Sequence, residues 1–215
     1  ILSNNNLHLR QSGIGAIMSN SQIKDALEYI ALGKEAAKHA GSSIERTKIL
    51  DNISIHHMKK QRKIEDDLLH ALAEKEIYSA YEPLIDLVDN RVIGAEALAR
   101  WQHPTMGMVP PSSFLAAAYR TGLFNNTTKI LLNDACNSMK SWINAGYKLD
   151  RLSVNVAAQQ IDLMYLPELM ETALKTSGLY SRYLQIEVTE DALIDKSQSP
   201  EVLKKIKEMG IRISI

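Results

Sequence analysis

Residues 91–104, RVIGAEALARWQHP, decide how the chain is read. Their composition alone leaves two structures open. Ala, Glu, Leu and Arg are good helix formers, and Glu96 with Arg100 would make an ordinary i,i+4 pair on a helix. Against a helix stand the Asp89-Asn90 turn signal, the β-branched Val92-Ile93 and Gly94, which weakens a helix start. As a strand, the same stretch presents Glu96 and Arg100 on one face, roughly 13 Å apart, and delivers both to one rim of a sheet. Immediately upstream, residues 78–87 read as a second strand, joined by only Val88-Asp89-Asn90. So short a link demands an antiparallel pair.

Downstream the pattern becomes regular. Ser112 opens a short apolar helix. A long one begins near Thr127, with Leu131, Ala135, Met139 and Trp142 on one face and Gly146 past its end. Residues 152–156 form a strand; Pro167 starts a helix that stops at Gly178; residues 184–188 form a strand. Ser199-Pro200 caps and starts another helix, ended by Gly210, and residues 211–215 open a further strand. From Leu152 onward, strand and helix alternate at intervals of roughly thirty residues, the rhythm of a (β/α)8 barrel. The expected class is therefore α/β, a TIM-type barrel of which about the first five strands are present.

The 215 residues allow one large or two small domains, and 45% hydrophobic with 23% charged residues is ordinary globular material. Twenty-five basic residues balance twenty-five acidic ones, so there is no broad footprint for a nucleic acid polymer or an anionic membrane. The single Cys136 excludes an internal disulfide and fits a reducing, cytoplasmic compartment. No apolar run approaches membrane-spanning length, so this segment is expected to make no membrane contact.

Residues 81–124, YEPLIDLVDNRVIGAEALARWQHPTMGMVPPSSFLAAAYRTGLF, resemble the opening of the EAL domain, the family that hydrolyses the bacterial second messenger cyclic di-GMP. Glu96-Ala97-Leu98 is the triplet that names it. Arg100, Trp101, His103, Pro104, Gly107, Pro111, Phe114 and Gly122-Leu123 fall at family spacing, and SVNVAAQQ (153–160) and EVTE (187–190) follow in the family's order. The resemblance implies that Glu96, Asn155 and Glu187 hold one Mg²⁺ or Mn²⁺, whose preference is for carboxylate and amide oxygens. It also implies that Glu190 braces the neighbouring loop, that Leu98 and Arg100 contact the nucleotide, and that Gln160 stands with them. Cyclic di-GMP would open to linear pGpG. Read singly, these residues have plainer roles: Glu96 pairing with Arg100, Asn155 bonding loop backbone, Glu187 as a strand-end charge. Glu82 departs from the family's Gln, Tyr119 from a frequent Glu and Ala157 from a frequent Ser. These departures leave open a module that binds cyclic di-GMP without cleaving it.

Residues 77–215 are accordingly read as the N-terminal part of an EAL barrel. An Asp-Asp-Phe-Gly run, the family's next motif, would follow directly after Ile215, so the segment holds about half of an active site. Alone it is expected to be inactive and poorly soluble. Residues 1–41, with SGIGAIM and then a helix carrying Ile23, Leu27, Ile30 and Ala37 up to Gly41, resemble the tail of a GGDEF domain, without its signature loop. Residues 42–55 read as linker, with His56-His57 solvated, and residues 58–76 as a helix burying Ile64, Leu68, Ala71 and Leu72. That helix or the barrel would serve any homodimer.

Overall fold

The computed structural model describes residues 14–17, 23, 26–41, 47–156, 165–188 and 199–215. The chain forms two compact units, residues 1–64 and 65–215.

In the first unit, β1 (Ile14–Ile17) pairs in parallel with β2 (Thr47–Leu50), and α1 (Ala26–Gly41) connects them. The right-handed crossover needed between parallel strands is the reason a helix stands there. The buried stripe of α1 is Leu32, Ala36 and Ala40, spaced by four, and with Ile23, Leu50 and Ile55 it makes the unit's core. Leu27 and Ile30, expected on the buried face, are exposed. The stretch read as linker contains β2, because Ile49-Leu50 has a partner strand that only the tertiary structure supplies. The following helix, α2 (Asn52–Ala73), begins six residues earlier than expected, and Asp51 caps it by accepting the Ser54 N–H at 2.8 Å. His56 and His57 are exposed, on this helix rather than in a linker.

The second unit is built on a six-stranded sheet. Its strands are β3 (Ile77–Asp86), β4 (Arg91–His103), β5 (Gly107–Val109), β6 (Arg151–Val156), β7 (Leu184–Val188) and β8 (Arg212–Ser214). The order is β3-β4-β6-β7-β8, with β5 hanging on the far end of β4. β3 and β4 are antiparallel through the turn at residues 87–90, where Asn90 takes φ 51°, a conformation Asn tolerates. β4, β6, β7 and β8 run parallel. Between them lie α3 (Pro111–Thr121), α4 (Phe124–Asn144), α5 (Leu166–Ser177), a 3₁₀ turn (Ser181–Tyr183) and α6 (Ser199–Glu208).

Helix-forming composition in residues 91–104 yields to pairing, since β4 is bonded on both sides. Gly94 shows how tightly: a Cβ there would stand 2.2 Å from the carbonyl oxygen of Arg151 on β6. Only glycine permits that approach. One face of the sheet is apolar. Ala95, Ala97, Leu152, Val156, Leu184, Ile186 and Val188 pack with Leu132, Ala135, Cys136 and Met139 of α4, Met170 and Ala173 of α5, and Val202 and Ile206 of α6. Burying side chains of this size contributes about 1.5–3 kcal/mol each.

Polar contacts fix the flanks of this layer. Tyr81 Oη donates to Ser138 Oγ at 2.8 Å, and its ring meets Trp142 edge-on at 4.8 Å. The Ser79 N–H donates to Asp134 Oδ2 at 2.7 Å. At the other end of β4, Trp101 Nε1–H donates to Glu76 Oε2 at 2.9 Å. Buried His103 meets Asp67 Oδ2 through Nε2 at 2.8 Å, while its Nδ1 accepts the Thr105 and Met106 N–H groups. An Nδ1 that accepts leaves the proton on Nε2, so the ring donates to Asp67. The family-spaced Trp and His thus anchor the end of β4 to Glu76 and to α2.

Candidate active site

The opposite face of the sheet is polar, and strand register assembles it. Paired residues in adjacent strands point to the same side, as do residues two apart on one strand. Glu96 pairs with Ser153, Ser153 with Gln185, Asn155 with Glu187, and Glu187 with Ser214. Glu96, Asn155 and Glu187 therefore share one face of three adjacent strands, where the parallel pairing of β4 with β6 ends. Two of them touch: Asn155 Nδ2 donates to Glu96 Oε1 at 2.6 Å. Asn155 is exposed and the two glutamates are half-buried, so the set is open to a ligand.

Leu98 and Arg100 continue the same face along β4, beyond Glu96. Arg100 does not pair with Glu96; its Nη1 donates to the Ala99 carbonyl at 2.9 Å. Glu82 lies directly across from Glu96 on β3, placing two carboxylates at facing positions. Tyr119 is 58% exposed and packs edge-on against Phe124. Gln160, Glu190 and Ala157 lie outside the described residues.

The donor set suits a hard divalent cation: two carboxylates and an amide, from three strands, with no thiolate or imidazole beside them among the described residues. Among the described residues no three His, Cys, Asp or Glu side chains gather into a metal group, which fits a set whose third donor is an amide. Asn155 can keep its Nδ2–H on Glu96 while Oδ1 stays available to a cation. A cavity of about 350 Å³ opens on the helix side of the sheet, between Tyr81, Pro83, Gly94 and Trp142, and contains none of these residues. Sequence reading passed over two polar residues of this face, Arg151 and Ser153. The signal was the alternation in RLSVNV, which puts Arg151, Ser153 and Asn155 together.

The fold and this row of oxygen donors place the chain among barrel-type α/β proteins with a polar site where the parallel strands end. The chain belongs to the EAL domain family, whose model matches residues 65–215. It is 30% identical over 191 residues to the cyclic di-GMP phosphodiesterase NbdA of Pseudomonas aeruginosa, covering 85% of this chain and 24% of that protein. Its structure resembles that of the PaMucR phosphodiesterase in complex with c-di-GMP, with TM-score 0.67 and 32% identity over 71% of this chain and 62% of that one. A looser likeness, in fold only, reaches 92% of this chain and 47% of the S helix-GGDEF-EAL structure of Vibrio cholerae LapD, with TM-score 0.58 and 13% identity. The chain spans about a quarter of the length of NbdA. No helix among the described residues is long and apolar enough to cross a membrane.

Proposed function

We infer that the protein hydrolyses cyclic di-GMP to linear pGpG with the help of Mg²⁺ or Mn²⁺. The observation that carries this reading is the row Glu96, Asn155 and Glu187 on one face of three neighbouring strands, with Asn155 bonded to Glu96. Kinship with NbdA and PaMucR supplies the substrate. In this reading Glu96, Asn155 and Glu187 hold the cation. When bound, it supplies positive charge at the phosphate and acidifies a water. Hydrolysis adds a water oxygen to one phosphorus, breaks that phosphorus's ester bond to the ribose, and transfers a proton to the departing ribose oxygen. Arg100, held by backbone on a rigid strand, presents its guanidinium to a phosphate oxygen, a geometry that suits Arg. Leu98 lies between Glu96 and Arg100 and meets the nucleotide's apolar surface. Gln160 and Glu190 enter by resemblance, one as a nucleotide contact and the other as a brace for its neighbouring segment.

A second reading, a sensor that binds cyclic di-GMP without cleaving it, is favoured by one observation. Glu82 faces Glu96 across the strand pair, and a second carboxylate beside the phosphate repels it. Incubating the full-length protein with cyclic di-GMP and Mn²⁺, with and without EDTA, and resolving products by chromatography separates the two. Metal-dependent pGpG is the expected result. Tight binding without product would select the sensor, and neither binding nor product would remove both. Residues 1–41 we read as GGDEF-like, on the resemblance of SGIGAIM and the helix that follows it.

A further inference from the structure

Among the described residues, two buried side-chain polar atoms meet no hydrogen-bonding partner: Arg151 Nε and Ser153 Oγ. Both belong to β6 and lie two residues apart, on the face that carries Asn155. Ser153 is wholly buried, level with Glu96 on one side and Gln185 on the other. Arg151 is level with Gly94, two residues before Glu96. Its Cγ lies 3.1 Å from where a Cβ on Gly94 would stand. The missing side chain at Gly94 thus lets Arg151 lean toward β4 beneath Glu96.

Interiors rarely leave such groups without partners; the usual resolution is another protein group or an ordered water with about three hydrogen bonds. On β4 the residue level with Ser153 is Glu96, whose carboxylate is an acceptor on this face. Its Oε1 already takes the Asn155 Nδ2–H, so the carboxylate is held from one side only.

We propose that Ser153 is a positioning residue for Glu96, acting through one buried water. That water accepts from Ser153 Oγ–H and from Arg151 Nε–H and donates to the Glu96 carboxylate. Asn155 then fixes the carboxylate from above and the water from below, so it meets a cation in one orientation. This rests on the reading of Glu96 as a metal ligand. It makes a claim that a hydroxyl serving only as filler would not: removing an unpartnered buried hydroxyl is neutral or stabilising for the fold, whereas removing a partner of a metal ligand weakens metal binding about 10–100-fold.

The test is calorimetric titration of Mn²⁺ into the full-length protein, as wild type, Ser153→Ala and Ser153→Thr, with melting of each metal-free form. Ser153→Ala is expected to weaken Mn²⁺ binding about tenfold while melting near wild type, and Ser153→Thr, which keeps the hydroxyl, to recover most of that tenfold. Wild-type affinity in Ser153→Ala would overturn the proposal and leave the metal reading standing. A wild type that takes up no Mn²⁺ would overturn the metal reading and the proposal with it. Should the threonine be too large for its site, a high-resolution crystal structure of the metal-free wild type decides. Water bonded to Ser153 Oγ, Arg151 Nε and Glu96 supports the proposal, and a Ser153 hydroxyl bonded to another protein group ends it.

Discussion

The two faces of β6 and β7 are made from the same eleven residues and serve opposite ends. Leu152, Val156, Leu184, Ile186 and Val188 turn toward the helices and are buried at 3% exposure or less. Ser153, Asn155, Gln185 and Glu187 turn the other way and carry the hydrogen-bonding groups. Alternation along a strand is what separates them. A substitution's consequence should therefore follow its parity: odd positions on β6 and β7 for chemistry, even ones for stability.

The harshest way to break that comparison is at Gly94, where a backbone carbonyl of β6 occupies the space a side chain would need. Gly94→Ala puts a Cβ 2.2 Å from a backbone oxygen, which cannot swing aside as a side-chain tip can. Chemical denaturation should register a loss of about 3 kcal/mol or more, the upper range for overpacking. A loss of a few tenths would mean that β4 and β6 lie farther apart than described.

Two further substitutions sharpen it. Leu152→Ala, on the helix face, is expected to cost about 2–5 kcal/mol of stability and to leave the Mn²⁺ affinity of the folded molecules unchanged. Glu96→Ala, on the polar face, is expected to remove at least about a hundredfold of the hydrolysis rate, about 2.7 kcal/mol of transition-state stabilisation, with melting almost unmoved. Turnover within a fewfold of wild type would take Glu96 out of the site. Were Leu152→Ala to abolish metal binding in a folded protein, the faces would not be independent.

Much of this was legible in the sequence, for identifiable reasons. The turn at Asp89-Asn90 and the short link around it required the hairpin, and the strand–helix rhythm after Leu152 required parallel pairing. Glu96, Asn155 and Glu187 could be grouped because the motif order assigned each to its own strand. What stayed hidden depended on partners distant in sequence. Nothing in residues 42–55 announces β2, since its strand forms only against β1. The buried stripe of α1 passed over Leu27 and Ile30 because Ala36 and Ala40, weak signals of hydrophobicity, are what fit against a sheet. Ser153 reads as an ordinary polar strand residue until burial and register put it beside Glu96. Likewise, the facing positions of Glu82 and Glu96 follow from the hairpin's register, which neither sequence position displays alone.

A smaller effect is expected at Arg100, which shares the polar face but stands roughly 13 Å beyond Glu96. Arg100→Ala should weaken cyclic di-GMP binding about tenfold, the loss of one charge-assisted phosphate contact. Mn²⁺ affinity should stay near wild type. Titrating nucleotide and metal separately distinguishes the two, and an equal loss of both would place Arg100 within the metal's own surroundings.

The smallest effect tests the helix-facing layer by its one thiol. Cys136, on α4, is wholly buried among that layer's apolar side chains. Burial pushes its thiol from an ordinary 9.0 up to about 12, because the charged thiolate has no solvation there. Near neutral pH this cuts the thiolate share about a thousandfold, and the thiolate is the nucleophile. A disulfide reagent should therefore label the native protein far more slowly than the unfolded one and leave turnover untouched. The sign of the pH dependence follows from the same shift. Below pH 9 the thiol is protonated in both folded and unfolded chains, so its contribution to stability is complete. As pH rises from 9 toward about 12, the unfolded chain ionises while the folded one does not, and that contribution is lost. Cys136→Ala should accordingly flatten the fall in melting temperature over this range. Native labelling as fast as that of the unfolded chain would show that the apolar face opens to solvent, and the separation between the two faces would fail at its driest point.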